Sequence, residues 1–201
     1  MKYFYLFILI SLSTLSFAAD TDADRPEVLP VNRFHEILLN VMQNADSLGY
    51  SGRYDELSTI ISSSFDLPLI AQVVLGRHWS QLNNDEKTEF ISLYEKLIIS
   101  TYASRFDAYG DEIFIFKAVE ELNRGRKLIK TELHSDSSDV ITLDYLMTQK
   151  NGVWKIISVI ADGANDISIK RAEYADVIKL HGYPKLLDEI HLKITEMEGP
   201  K

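Results

Sequence analysis

The chain has 201 residues, no cysteine and a formal net charge of −9. Without thiols there is neither a disulfide framework nor thiol chemistry, so packing alone must hold the fold. The acidic balance argues against nucleic acid as a partner and against non-specific docking on anionic lipid headgroups.

Lys2 followed by the apolar run Tyr3–Leu15 and by Ser16-Phe17-Ala18 fits a signal peptide, residues 1–18, cut after Ala18. The chain is therefore expected in the periplasm. Left uncut, the same run would be an N-terminal anchor, although it is short for a membrane span. Cleavage removes one charged residue, Lys2, leaving 183 residues and a charge of −10, enough chain for one domain with a sizeable core. Residues 19–30 are acidic and proline-punctuated, which predicts a flexible leader. Asp20, Asp22 and Asp24 alternate as at the start of a calcium loop, but the glycine and the closing Glu are missing.

Residues 31–196 read as a single domain and 197–201 as a frayed tail. Val31 to Leu48 carries Phe34, Ile37, Leu38, Val41, Met42 and Ala45 on one face and predicts a helix that Gly49 stops. Gly49-Tyr50-Ser51-Gly52 misses the spacing of a nucleophile elbow and predicts a loop. Arg53 to Ser64 is a second helix. The stretch from Phe65 to Tyr109 organises the rest: Asp66 caps a helix with Pro68 in its first turn, and Asn83 with Glu86 forms a capping box before a long helix. Phe90, Leu93, Tyr94, Leu97, Ile98, Tyr102, Phe106 and Tyr109 predict one stripe along that helix for more than five turns. It has more aromatic bulk than docking on a sheet requires, so it reads as the wall of a cavity.

After Tyr109 the period becomes two. Glu112–Ala118, Arg126–His134, Val140–Met147 and Val153–Ile160 alternate as strands, with Asn151-Gly152 as a hairpin turn. Asp166 is expected to cap a helix running to His181, and Tyr183-Pro184 to open a last one. Helices, then an antiparallel meander, then helices give an α+β fold, with helices on one face of a curved, twisted sheet.

Chemistry is sparse. His35, His78, His134, His181 and His191 fall on separate elements without metal-ligand spacing, so no metal and no cofactor is expected. Asp144, Asp162 and Asp166 are the acids placed for catalysis in an apolar pocket. Each reads better as a strand, turn or cap residue. Arg77, His78 and Arg171 could stand at the mouth of an apolar cavity and meet an anionic headgroup.

FDLPLIAQVVLGRHW, followed by F-x-x-x-Y-x-x-L-I-x-x-T-Y-x-x-x-F-x-x-Y, resembles the MlaC family of periplasmic, toluene-tolerance, phospholipid-binding proteins. GVWKIISVIADG resembles that family's W-x-I-x-D-V-x-x-x-G strand, with Ser158 where the family usually has Asp. The stretch Ala164–Ser168, with Arg171–Tyr174 and Gly182-Tyr183, is closer to the hopanoid-associated HpnM branch. The resemblance covers about Val31 to Ile194. It implies a monomeric, non-catalytic carrier of phospholipid or a hopanoid-like lipid. Such a carrier works between an outer-membrane component and an inner-membrane transporter of the ABC type, and holds its cargo in a deep slot between sheet and helices.

That slot would take Val74 and Trp79 from the first part of the organising stretch, and Phe90, Tyr94, Leu97, Tyr102 and Phe106 from the long helix. Leu143, Tyr145, Trp154 and Ile156 would come from the sheet, and Tyr174 and Ile178 from a late helix. Two other readings remain open at this level. A cone-shaped isomerase or dehydratase would need a cavity-facing carboxylate; an envelope interaction module would have a filled core.

Overall fold

The computed structural model describes residues 23, 25–136 and 140–199, so the expected signal peptide lies outside the described residues. Helix α1 (Leu29–Gln43) has Pro30 in its first turn, where a missing N–H costs nothing, and buries Val31, Phe34, His35, Leu38, Val41 and Met42. It starts inside the stretch read as leader. Glu27 and Val28 are buried too, and the Glu27 carboxylate pairs with Lys127 and Arg25 at 2.8 Å each.

The first helix was expected to reach Leu48, and the structure corrects this. It ends at Asn44, whose side chain donates back to the Asn40 carbonyl at 2.9 Å. Helix α2 (Ala45–Ser64) then carries Gly49 at φ 58°, ψ −174°. The expected Gly49–Gly52 loop is a kink at one residue, because only glycine takes that backbone without strain. Arg53 spans the break: its guanidinium donates to the Ala45 carbonyl at 3.1 Å and to the Ala103 carbonyl at 2.8 Å. Arg53→Ala is expected to lower stability by about 1.5–3 kcal/mol, measured by urea unfolding, since both part-buried carbonyls lose a charged donor.

Asp66 accepts from the Leu69 amide and starts α3 (Leu67–Leu75), followed by a 3-10 turn over Gly76–Gln81. The reciprocal Asn83–Glu86 bonds, 3.0 and 2.8 Å, start α4 (Asn84–Arg105). The predicted helix to Tyr109 is too long. Phe106 leaves helical geometry at φ −102°, ψ 61°, and Tyr109 is exposed.

The sheet is β1 (Ile113–Glu121), β2 (Lys127–His134), β3 (Val140–Lys150), β4 (Val153–Ala161) and β5 (Ala164–Asn165), antiparallel in sequence order. Asn151 and Gly152 both have positive φ in the β3–β4 turn, as an Asn-Gly hairpin requires. A bulge sets Leu146 opposite Ser158 and Met147 opposite Ile156, leaving Ile157 unpaired in register. Asn165 rather than Asp166 caps α5 (Asp166–His181), because it is the Asn165 side chain that accepts from the Ser168 amide. Helix α6 (Tyr183–Glu198) follows Gly182 and runs one residue past the expected start of fraying at Met197.

Ile129, Thr131, Leu133, Tyr145, Met147 and Ile156 are buried side chains of the sheet face that meets the helices. Helices α1, α2, α3 and α5 pack on β4, and α4 packs on α2, α3 and α6. The α+β architecture expected from the element order is the one observed. No described helix is long and apolar enough to cross a membrane.

Candidate functional site

Every residue expected to line a slot is in the core or packed on it. Val74, Phe90, Tyr94, Leu97, Tyr145, Ile156 and Tyr174 are buried. Trp79, Tyr102, Phe106, Leu143, Trp154 and Ile178 are half-buried. The α4 stripe divides because its two halves meet different neighbours. Near its amino end Phe90 and Tyr94 stack at 5.8 Å and meet Tyr174 edge-on at 6.4 and 6.2 Å. Near its carboxyl end Tyr102 stacks with Phe106 at 5.7 Å and meets Phe34 edge-on at 5.0 Å.

Phe34 connects this second group to the sheet. Its ring also meets Phe65 at 5.3 Å and Tyr145 at 6.4 Å. Next to it, His35 shares a 2.9 Å hydrogen bond with the Tyr145 hydroxyl and stacks on Phe114 at 3.8 Å. Burial pushes the His35 imidazole down to about 3, so it is neutral at physiological pH. Burial likewise raises the Tyr94, Tyr102, Tyr145 and Tyr174 phenols. The interior offers neutral hydroxyls rather than charge.

Sequence reading missed Phe34, His35, Phe65, Phe114 and Tyr183 as partners of these aromatics. Phe34 and His35 sit on the buried stripe of α1, and that stripe was the available signal.

The tryptophans lie towards the rim, each with a lysine over its ring: Lys87 over Trp79 at 5.6 Å and Lys127 over Trp154 at 5.4 Å. Of the expected mouth cations, Arg77 is exposed and His78 half-buried. The Arg171 guanidinium lies against Gly76, within 3.0 Å of where a β-carbon would stand, so it joins them at the carboxyl end of α3. Cations suit that end of a helix.

Between the layers, where the slot is expected, side chains pack closely. Phe34, Leu57, Ile61, Ile129, Tyr145, Met147 and Ile156 are at most 1 % exposed. Space exists elsewhere. A shallow cavity of about 480 Å³ lies at the α1–α2 junction and reaches Ala108 and Tyr109. A groove of about 140 Å³ runs between α3, the first turn of α5 and the bulged part of β4. Leu69, Val73, Leu146, Ile157 and Ile167 give it apolar walls, and Arg126, Ser158, Asn165 and Ser168 its polar atoms.

The candidate acids face elsewhere. Asp144 points away from Tyr145 by strand alternation, and burial raises its carboxyl while Lys130 pulls it back. Asp162 accepts from the Thr142 amide at 2.9 Å, and Asp166 is an exposed first-turn residue of α5.

No curated protein matches the chain. Among solved structures it is similar to one described as the phospholipid-binding protein from Ralstonia solanacearum in complex with a phospholipid. Identity is 16%, the TM-score is 0.76, and the match covers 86% of this chain and 99% of that one. At this identity the likeness shows a shared fold. The model of the family described as MlaC protein matches residues 32–191, most of the described domain, and the chain belongs to the MlaC family.

Proposed function

We propose that the mature chain binds phospholipid and carries it through the periplasm between an outer-membrane component and an inner-membrane transporter. The observation that carries this reading is the fold match over nearly the whole length of a protein solved with a phospholipid, within a family matched along 32–191. The N-terminal sequence supports the compartment, and the acidic charge supports docking to basic partner surfaces rather than to bulk membrane. A hopanoid-like cargo stays as the variant that the Ala164–Ser168 sequence favours. In this reading the protein binds rather than catalyses.

A two-tailed lipid has roughly 30 methylenes, and each buried one is worth about 0.8 kcal/mol. Leaving a third of them wet would cost on the order of 8 kcal/mol, so the tails must enter the interior. The tightly filled layers must then part on loading, with Phe34, Tyr102 and Tyr145 at the seam. Arg77, His78 and Arg171 are proposed to attend the mouth.

Solvent extraction of protein purified from the periplasm, followed by mass spectrometry, is expected to release about one diacyl lipid per chain. Lipid-free protein that also fails to take up phospholipid from vesicles would overturn the reading. The filled interface favours one second reading, an envelope interaction module with an ordinary core, and the lipid-free result would select it.

A further inference from the structure

The groove beside α5 has features that a merely imperfect core does not need. Ser158 is 5 % exposed, and its buried hydroxyl has no hydrogen-bond partner among the described residues. A buried hydroxyl without a partner costs about 1–3 kcal/mol, so a ligand that engages it gains what the empty fold forgoes. Ser158 lines the groove together with Arg126, for which the structure gives no ion pair among the described residues; neighbouring Lys127 is held by Glu27 and Glu121.

The third contributor is the amino end of the 16-residue helix α5, whose partial positive charge favours an anion. Among the described residues, no acid lines the groove. The acid of that first turn, Asp166, acts instead on Tyr94, Tyr102, Tyr174 and Lys193, on the side of α4 and α6. Arg171 stands three residues beyond Ser168, on the same face of α5.

The volume narrows the ligand. At about 30 Å³ per water-sized group, 140 Å³ holds roughly five such groups, the size of one phosphate and too small for an acyl chain. Apolar walls around a cationic rim suit an anion attached to something apolar. We propose that this groove holds the phosphate of the bound lipid, with the Arg126 guanidinium and the Ser158 hydroxyl as its ligands and the amino end of α5 behind it. The proposal rests on the lipid-binding reading and adds the headgroup chemistry to it: an anionic phosphate is recognised at the surface while the tails go inside.

Calorimetric titration of the mature protein, stripped of lipid, tests this with three probes: dihexanoylphosphatidylglycerol, dihexanoylglycerol and inorganic phosphate. The phosphate-bearing lipid is expected to bind at least tenfold tighter than either of the others. Arg126→Gln should weaken it by about 10- to 100-fold and Ser158→Ala by about 5- to 10-fold, without lowering the unfolding midpoint of the Ser158 variant. Arg124→Gln, an exposed cation on the same hairpin, should change affinity less than twofold.

Equal binding of dihexanoylglycerol, or full affinity in both groove variants, overturns the headgroup assignment while leaving lipid binding standing. Inorganic phosphate binding as tightly as the lipid overturns it as well, since the groove would then serve free phosphate. If no lipid of any chain length binds, the lipid-binding reading itself falls, and the headgroup site with it.

Discussion

Phe34→Ala should lower the stability of the mature chain by about 3–5 kcal/mol, the range of a fully buried aromatic truncated in a packed core. The ring is 0 % exposed and lies edge-on to Phe65 in the α2–α3 link, Tyr102 of α4 and Tyr145 of β3. Each such contact is worth about 0.5–1.5 kcal/mol beyond the area it buries. The loss therefore combines transfer, cavity and ring–ring terms, and neighbours drawn from helix and sheet can collapse only partly. Equilibrium urea unfolding should show a lower midpoint with an unchanged slope. A loss below about 1 kcal/mol would mean that Phe34 faces space that ligand fills, and that the seam is looser than its geometry indicates.

The carrier reading adds a second readout for the same variant. A seam that opens for lipid should open more readily once Phe34 is gone. Vesicle-to-protein lipid transfer should then accelerate at temperatures where Phe34→Ala is still folded. A stability loss without any change in transfer would assign Phe34 to the core alone.

Local chemistry explains what was legible in the sequence. The Asn83–Glu86 box, the Asp66 cap and the Asn151-Gly152 turn each depend on residues within three positions of one another, and all three form. Strand alternation along Val140–Met147 puts Ile141, Leu143, Tyr145 and Met147 on one face; Tyr145 and Met147 are buried and Leu143 half-buried, while Ile141, at the strand's start, is exposed. Helix ends were less legible. Asn44 closes α1 by a side-chain bond to Asn40 that a periodic stripe does not announce, and Gly49 bends α2 without ending it.

Distant partners were not legible at all. The spacing of Phe90, Tyr94 and Tyr102 on α4 shows that one face is apolar, but periodicity cannot say that Tyr94 meets Tyr174 while Tyr102 meets Phe34. The same limit hid the Glu27–Lys127 pair, which links positions 100 residues apart and draws the end of the leader into the fold. It also hid the groove, because Ser158 reads as an ordinary strand residue. The bulge at Ile157 and the arrival of α3 and α5 beside β4 are what make its hydroxyl a lone buried donor.

Acidification should destabilise the protein well before its carboxylates titrate, and His35 is the reason. Its imidazole is held at about 3 when folded, against 6.5 for the unstructured side chain. Between those values the unfolded chain binds a proton that the folded chain refuses, so stability falls as pH drops. The contribution is complete above about pH 6.5 and is lost progressively towards pH 3. Its slope reaches about 1 kcal/mol per pH unit by pH 5.5, and the integrated loss is on the order of 5 kcal/mol.

The neighbours offer no relief. Phe114 stacks on the ring, and the Tyr145 hydroxyl, with its ionisation pushed well above the ordinary phenol range by burial, supplies no negative charge. Urea midpoints between pH 7.5 and 5.5, above the carboxylate range, should therefore decline for the wild-type chain. The decline should be nearly absent in His35→Gln, which can still bond the Tyr145 hydroxyl but does not titrate. Equal slopes in the two proteins would place the responsible proton elsewhere. A wild-type chain indifferent to pH across this window would show that His35 is not sealed between α1 and the sheet.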